Sequence, residues 1–177
     1  MNTENLIINP LKSADANQLH QFVVDNNDRL KKYFPVTLSS NSNLEKTTEY
    51  ITIKNKEIEE KSCYTFAIRD KNLKIIVGLI IIKKIDWNKN QGEFAYCIDA
   101  QFEGKGLITF AVKEMTKFAF EELGLKTLQI ISHKTNFSSV NVAENSGFVW
   151  RKTLLNEFKP SDGIPLNMEL YELINER

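Results

Sequence analysis

One short segment of the chain has the residue types and spacing of an anion-binding loop: Gln101, Gly104, Lys105, Gly106 and Leu107. Glycines allow a tight turn in which consecutive backbone N–H groups are exposed. An apolar helical pattern starts after this turn, and the first turn of a helix has unpaired N–H donors at the positive end of its dipole. The segment therefore predicts a bound phosphate group. A turn that only reverses the chain is the alternative interpretation.

Two familiar phosphate motifs do not fit this loop. A Walker loop needs Ser or Thr after Gly-Lys, but Lys105 is followed by Gly106, and the dinucleotide fingerprint needs a third glycine or alanine where Thr109 stands. The spacing Gln-x-x-Gly-x-Gly resembles instead the pyrophosphate loop of the GNAT superfamily of acyl-CoA-dependent N-acyltransferases. This resemblance implies acetyl-CoA as the co-substrate.

A second motif lies between two strand patterns, from Asn136 to Phe148. It reads Asn-x-x-Ser followed by Glu-Asn-x-Gly-Phe, and it closely resembles the segment that lines the thiol end of coenzyme A in GNAT enzymes. Taken by itself, it is a short helix with an amide near its start and a glycine stop. Two motifs in the right order, separated by the right strand, are more specific than either motif alone.

Within that superfamily the chain resembles the ribosomal-protein-serine/alanine N-acetyltransferase type over nearly its whole length. Tyr33-Phe34-Pro35 stands where those proteins often carry Trp-Leu-Pro, Glu93–Tyr96 resembles their Glu-x-Gly-Tyr strand, and Met168–Leu173 resembles their closing strand. Ala95 replaces the usual glycine, and Tyr33 replaces the usual tryptophan. These departures concern the acceptor specificity more than the co-substrate.

The resemblance also implies how acetyl-CoA is bound. Two parallel central strands would splay apart to admit the thioester, backbone groups near Ile98 would orient the acetyl arm, and the glycine loop would bind the pyrophosphate. Backbone donors also suit the oxyanion of a tetrahedral intermediate. In this interpretation Asn136 holds the pantetheine amide or a catalytic water, and Ser139 donates a hydrogen bond to the sulfur. A surface serine that is satisfied by water is the alternative for Ser139.

Glu93, at the start of the central strand, is the candidate general base. A peptide α-amine has a pKa of about 7.7–8.0 and is partly neutral at pH 7, whereas a lysine amine with a pKa of about 10.4 is almost wholly charged. A weak base that acts directly or through a water therefore suffices for an N-terminal acceptor. The alternative is a solvent-exposed carboxylate at a strand end.

This sequence has no tyrosine at the position from which one could protonate the leaving thiolate. Many GNAT enzymes present a tyrosine four residues before the Gly-Phe pair, and this chain has Ala143 there. A thiol with a pKa of about 8.5 leaves tolerably as the thiolate, so turnover does not require that tyrosine. The catalytic candidates are thus Glu93, Asn136 and Ser139.

Three aromatic residues are candidates for the acceptor mouth: Tyr33, Phe34 and Trp87. Capping of the hydrophobic core is the alternative for aromatic residues in loops. The lack of an obvious acidic pocket around Tyr33 slightly disfavours a polycationic acceptor.

Composition narrows the class of function. The 177 residues fit one domain, 1–177, and the 23 basic and 23 acidic side chains cancel, so the net charge favours neither nucleic acid nor a membrane. No apolar run approaches the ~20 residues of a membrane span and the N-terminus lacks a signal-peptide pattern, so we expect a cytoplasmic protein. Cys63 and Cys97 are expected to be buried thiols, and with only His20 and His133 beside them no metal site is expected.

Three functional hypotheses follow. The leading hypothesis is an acetyl-CoA-dependent N-acetyltransferase that acts on a protein or peptide N-terminus by direct attack in a ternary complex, as a monomer or homodimer. The second keeps acetyl-CoA but uses a small amine, such as a polyamine, an amino acid or a drug. The third is a non-catalytic acyl-CoA sensor, motivated by Ala143.

Hydrophobic periodicity predicts a mixed α/β fold, and the resemblance implies a single GNAT-like domain: a mostly antiparallel sheet with two parallel central strands, flanked by helices. Ser13 is the predicted cap of the first helix, and the capping-box spacing at Ser42 predicts the start of the second. The predicted helices span 13–30, 42–60, 107–123 and 138–146. The predicted strands span 6–8, 64–69, 74–85, 93–98, 128–131, 148–158 and 165–173, with a turn at 159–163.

Overall fold

The structure is a computed structural model that describes residues 5–160 and 163–176, without the side chain of Lys32. The helices are α1 (Ala16–Asp25), α2 (Asn27–Tyr33), α3 (Pro35–Ser39), α4 (Leu44–Glu59), α5 (Leu107–Glu121) and α6 (Phe137–Asn145). The strands are β1 (Leu6–Pro10), β2 (Tyr64–Asp70), β3 (Ile75–Asp86), β4 (Gln91–Ile98), β5 (Thr127–Ser132), β6 (Val149–Phe158) and β7 (Leu166–Ile174). Short 3-10 turns occupy Ser13–Asp15 and Ala100–Phe102.

The strands of the described residues form one sheet in the order β1-β2-β3-β4-β5-β7-β6. β4 and β5 are parallel, whereas β1–β2, β5–β7 and β6–β7 are antiparallel pairs. The parallel ladder joins Gln91–Phe94 to Thr127–Ile130, while β4 continues to Ile98 and β5 to Ser132. The predicted mixed fold with a parallel central pair is confirmed.

Contacts group the chain into two compact units, and the first contains the residues up to Ile81 together with Tyr96–Lys105. Its core combines residues of α1, α4, β2 and β3. Members of this core are Leu19, Phe22, Ile51, Ala67 and Leu79. Leu19 and Phe22 are three residues apart in α1, as expected for one buried face of a helix.

The second unit contains Ile82–Ala95 and the residues from Gly106 onward. Helix α5 buries the stripe that the sequence predicts, namely Ile108, Ala111, Met115 and Ala119. Leu123 was part of the predicted stripe, but α5 ends at Glu121, so Leu123 lies beyond the helix and is only partly buried. The rings of Phe94 and Phe148 meet edge to face with their centroids 6.2 Å apart.

The first predicted helix, 13–30, is wrong as a single element. Helix α1 ends at Asp25, and α2 continues to Tyr33 after a break at Asn26. The side chain of Asn26 donates to the carbonyl of Phe22 at 2.9 Å. An asparagine amide that bonds to nearby backbone competes with helical hydrogen bonding, which accounts for the break.

Two predicted helix starts also shift. Ser13 begins a 3-10 turn, and Asp15 is the residue that precedes α1. At α4 the cap is Asn43 and not Ser42, because the side chain of Asn43 accepts from the backbone N–H of Lys46 at 2.9 Å. The predicted strands agree with the structure to within two residues at each end. The predicted turn at 159–163 includes residues 161 and 162, which lie outside the described residues.

Two glycines of the sheet differ in what surrounds them. A Cβ added to Gly78 would lie 2.5 Å from the backbone oxygen of Cys97, whereas a Cβ added to Gly92 would lie 3.0 and 3.1 Å from methyl groups of Ile82 and Leu125. A backbone oxygen in a sheet has little freedom to retreat, while side-chain methyl groups can rotate away. Gly78 is therefore the more constrained position.

We predict that Gly78→Ala lowers the free energy of unfolding by about 3 kcal/mol, because the added methyl group forces the backbone apart. Gly92→Ala, the matched substitution in β4, should lower it by only about 1 kcal/mol. Urea unfolding followed by circular dichroism measures both values. Equal losses in the two variants would contradict the proposed clash.

Candidate functional site

The predicted phosphate loop contains two glycines in the left-handed backbone conformation. Gly104 has a φ of +70° and Gly106 a φ of +72°. A Cβ added to either glycine would meet no described atom within 4 Å. Gly106 is the cap residue of α5, and its carbonyl accepts from the N–H of Phe110 at 3.0 Å. The conformation favours glycine at both positions, and the open space beside them leaves room for a ligand.

Helix α5 and Lys105 each carry groups of the kind that bind anions. Helix α5 has 15 residues, and the N–H groups of its first turn have no acceptor inside the helix. In the first unit, Nζ of Lys105 donates to the carbonyl of Gln101 at 2.6 Å and lies 5.1 Å from the centroid of the Phe102 ring. Backbone donors and a nearby ammonium group are what phosphate oxygens require.

Asp99 fixes the start of the loop. It follows Ile98, the last residue of β4, and its N–H donates to the carbonyl of Val77 at 2.8 Å. Its Oδ1 accepts from the N–H of Gln101 at 2.8 Å and so caps the 3-10 turn. The chain therefore leaves β4 directly into a turn that is held at its first residue.

Glu93 is a buried, doubly paired carboxylate in β4, with 6% of its surface exposed. Its Oε1 lies 2.8 Å from Nζ of Lys83, and its Oε2 lies 2.9 Å from Nζ of Lys84. A buried carboxylate without such partners would be strongly unfavourable. The alternative of a solvent-exposed carboxylate at a strand end is therefore wrong.

Both lysines reach this carboxylate because β3 is irregular. Consecutive residues of a regular strand point to opposite faces of the sheet, but Lys84 has a φ of +50°, which turns the backbone at this point. Burial acts to lower the pKa of Lys84, but the hydrogen bond and charge of Glu93, with a contribution from Glu157, outweigh it and raise the pKa. Lys84 is thus a permanent positive partner at neutral pH.

Asn136 and Ser139 meet at the start of α6. Asn136 is the cap residue, and its Oδ1 accepts from the N–H of Ser139 at 3.3 Å. The N–H of Asn136 donates to the carbonyl of His133 at 2.8 Å, and Nδ1 of that histidine lies 2.8 Å from Oγ1 of Thr135. Asn136 therefore has the helix-start role, which uses its oxygen and leaves its Nδ2 as a separate donor group.

At the helix position that holds a tyrosine in many GNAT enzymes, this chain has a buried alanine. Ala143 is fully buried, with 0% of its surface exposed, and its carbonyl accepts from the N–H groups of Ser146 and Phe148 at 3.1 and 3.0 Å. A tyrosine at this position would require the surrounding core to repack. Position 143 therefore supplies no side-chain acid.

The three aromatic candidates lie in different settings. Tyr33 is half-buried at the end of α2, and Trp87 is 41% exposed in the turn after β3. Phe34 packs against the core of the first unit, as the core-capping alternative predicts. Of the three, Phe34 has a packing role that explains its position without an acceptor.

The cysteines do not form a reactive centre. Cys63 and Cys97 are free thiols, and burial raises the pKa of Cys97 to about 12, so its thiol stays protonated at neutral pH. Residues 5–160 and 163–176 contain no cluster of three or more potential metal ligands. Within the same part of the chain, every helix is too short or too polar to cross a bilayer.

Lys83 and Lys84 are the candidates that the sequence analysis missed. The register of a β-hairpin could have indicated Lys84. If Asp86 and Gln91 flank the turn, a regular antiparallel pair of strands places Lys84 opposite Glu93. Lys83 had no such signal, since its approach to the carboxylate depends on the irregular backbone of β3.

Comparisons with known proteins show which family this chain is similar to. The chain matches a family model described as an acetyltransferase (GNAT) domain over residues 5–149. The Bacillus subtilis (strain 168) protein YdaF, whose name proposes a ribosomal N-acetyltransferase, is 28% identical over 172 residues, which is 97% of this chain and 89% of YdaF. Spermidine N(1)-acetyltransferase of Escherichia coli (strain K12) is 27% identical over 151 residues, which is 85% of this chain and 76% of that protein.

Solved structures share the fold. Ribosomal-protein-S5-alanine acetyltransferase from Vibrio fischeri has a TM-score of 0.88 at 20% identity, covering 99% of this chain and 96% of the other. Two further structures, each with a TM-score of 0.86, contain acetyl-CoA with AMP in one case and coenzyme A in the other. Because the family model spans most of its length, this chain belongs to the GNAT acetyltransferase family and is an N-acetyltransferase that uses acetyl-CoA.

Proposed function

We propose that this enzyme transfers an acetyl group from acetyl-CoA to the N-terminal α-amine of a protein or peptide, by direct attack of the amine in a ternary complex. The observation that carries the proposal is the pairing of Glu93 with Lys83 and Lys84 at 2.8 and 2.9 Å. A lysine engages each oxygen of Glu93, so this carboxylate has little capacity to deprotonate a strongly basic amine and is better matched to an amine that releases its proton readily. A peptide α-amine with a pKa of about 7.7–8.0 meets this condition, and a lysine-like amine with a pKa of about 10.4 does not.

A polyamine is a poorer match for these charges. Lys83 and Lys84 set two positive charges beside the carboxylate that a cationic acceptor would approach. Like charges repel a polycation, so the distribution supports a neutral or acidic N-terminal segment as the acceptor.

The relatives include both acceptor classes by name. The ribosomal-type relative aligns over 97% of this chain and the spermidine-type relative over 85%, at nearly equal identity. A small polyamine-type amine is therefore the second candidate. The non-catalytic sensor finds no support, since the chain belongs to a family of acetyltransferases.

The co-substrate is bound in this proposal by backbone groups more than by side chains. Acetyl-CoA supplies the activated acetyl group and leaves as the thiol. The backbone near Ile98 orients the acetyl arm, Nδ2 of Asn136 holds a pantetheine amide or a water, and Ser139 donates to the sulfur. The pyrophosphate is bound by Gln101, Gly104, Lys105, Gly106 and Leu107.

Proton transfer in this proposal needs only one side chain. Glu93 accepts the proton of the attacking amine, directly or through a water, while Lys83 and Lys84 hold the carboxylate in position. The thiol leaves as the thiolate, which suits the absence of an acid at Ala143. Tyr33 and Trp87 are the proposed contacts at the acceptor mouth.

For the acceptor, we predict that peptides with a free N-terminal serine or alanine release thiol at least about tenfold faster than spermidine at pH 7.5, because their α-amine is more often neutral. The same peptides with a blocked N-terminus and an internal lysine are the matched control and should show background rates. Thiol release and product mass are measured together. Faster turnover with spermidine would overturn the peptide acceptor and favour the second candidate.

For the loop, we predict that Gly104→Glu abolishes the thermal stabilisation by coenzyme A, which for the parent should reach about 2.7 kcal/mol at a hundredfold excess over Kd. Glutamate brings both backbone strain and a negative charge next to the phosphate site. Gly124→Glu is the matched control, because Gly124 also has a φ of +70° with no described atom within 4 Å of an added Cβ. Loss of the shift in both variants would point to strain alone.

For the base, we predict that Glu93→Gln slows turnover at neutral pH and recovers partly near pH 8 with a peptide acceptor, where the α-amine is largely neutral without help (pKa about 7.7–8.0). Glu157→Gln is the matched control, since Glu157 pairs with Lys84 at 3.8 Å but lies outside the proposed proton path. Binding of coenzyme A reports on the fold of each variant. A pH profile that Glu93→Gln shares with the parent would leave solvent as the proton acceptor.

A further inference from the structure

Asn26, at the break between α1 and α2, has a buried side chain that the proposed reaction does not use. Only 3% of the residue is exposed. Its Nδ2 donates to the carbonyl of Phe22 at 2.9 Å and to Oδ2 of Asp99 at 3.0 Å, and its Oδ1 accepts from the N–H of Ala100 at 3.1 Å. These partners fix the orientation of the amide, because the reversed orientation would set Oδ1 against two oxygens.

The same amide therefore connects a helix break to the start of the phosphate loop. Asp99 and Ala100 directly follow β4. The two carboxylate oxygens of Asp99 accept hydrogen bonds from different donors. Oδ1 accepts from the N–H of Gln101 at 2.8 Å and caps the 3-10 turn, while Oδ2 accepts from Asn26. Any movement of Asn26 is thus transmitted to the turn that leads into Gly104.

A second contact between α2 and the loop is weaker. Arg29 forms an ion pair with Glu103, but the two side chains are 39% and 46% exposed. Exposed ion pairs are screened by water and contribute little. A buried amide that donates to a carboxylate and accepts from a backbone N–H forms these hydrogen bonds where water does not compete for them. Asn26 is therefore the stronger of the two connections.

We propose that Asn26 is a positioning residue for acetyl-CoA, which holds the 3-10 turn in the conformation from which the glycine loop presents its backbone donors. This inference rests on the proposed role of that loop. Asn26 also ends α1 and precedes α2, so the loop and α2 are held by one side chain. Coenzyme A bound to the loop should consequently reduce the motion of α2 as well.

The decisive variant is Asn26→Asp, which keeps the shape of the side chain but replaces the Nδ2 donor by an oxygen that faces both the carboxylate of Asp99 and the carbonyl of Phe22. We expect coenzyme A to bind about tenfold more weakly at pH 7.5, because two carboxylates at hydrogen-bond distance repel each other. At about pH 5 the deficit should shrink, since the pair can then share a proton. Asn27→Asp makes the same chemical change at the exposed neighbouring residue and should bind like the parent.

The exchange variant Asn26→Asp with Asp99→Asn restores one amide and one carboxylate at this contact. It should bind coenzyme A more tightly than either single variant, because the two side chains can again form a hydrogen bond. Its affinity should stay below that of the parent, because an oxygen at position 26 still faces the carbonyl of Phe22. If Asn26→Asp does not fold, the comparison of Asp99→Asn with the exchange variant carries the test. Calorimetry gives the Kd of coenzyme A for each protein.

Hydrogen exchange supplies a measurement that a purely structural role would not change. Coenzyme A should slow the exchange of the α2 amides in the parent and in the exchange variant, and less so in Asn26→Asp. Equal Kd values for the parent and Asn26→Asp, or an exchange variant no better than the single variants, would overturn the positioning role. A parent that does not bind coenzyme A would instead overturn the proposed loop, so the two failures are distinguishable.

Discussion

A carboxylate that is taken out of water must be paired with positive charge, and in this protein that condition shapes the middle of the sheet. Glu93 is 6% exposed and is paired with both Lys83 and Lys84. A regular strand could direct only one of two consecutive lysines to that carboxylate. The backbone of β3 accordingly turns at Lys84, with a φ of +50°, a conformation that few residues other than glycine adopt. This turn of the backbone allows both lysines to reach the one buried carboxylate.

The two helix starts of the proposed site satisfy their N–H groups in different ways, and the difference suits the different roles proposed for them. The cap residue of α5 is Gly106, which has no side-chain acceptor, so the first-turn donors of α5 stay available for an anion. The cap residue of α6 is Asn136, whose Oδ1 already accepts from the N–H of Ser139. Helix α6 can therefore present amide and hydroxyl side chains to a ligand near its start, whereas α5 can present backbone N–H groups. A phosphate suits the first arrangement, and a neutral amide or thioester suits the second.

Features that depend on neighbours in the chain were predictable from the sequence, and features that depend on distant partners were not. The buried stripe of α5, the parallel pairing of β4 with β5 and the glycine turn at Gly104 all follow from local patterns, and the structure agrees with them. Hydrophobic spacing did not indicate the helix break at Asn26, because this spacing continues across the break to the buried Leu30. Asp99, one of the distant partners of the Asn26 amide, lies 73 residues away. The roles proposed for Glu93, Asn136 and Ser139 came from the resemblance of motifs, and they stay predictions.

Among the described residues, those of the proposed site offer few groups for proton transfer. Ala143 is fully buried at the position where related enzymes supply an acid, and the oxygens of Glu93 are each engaged by a lysine. Rate enhancement then depends mainly on positioning the reactants and on backbone donors, both of which act on any acceptor that reaches the thioester. An acceptor that is largely protonated at neutral pH would need more help than these residues offer. An α-amine that is partly neutral at that pH needs the least help, so the proposed site, with its limited means of proton transfer, is consistent with the proposed α-amine acceptor.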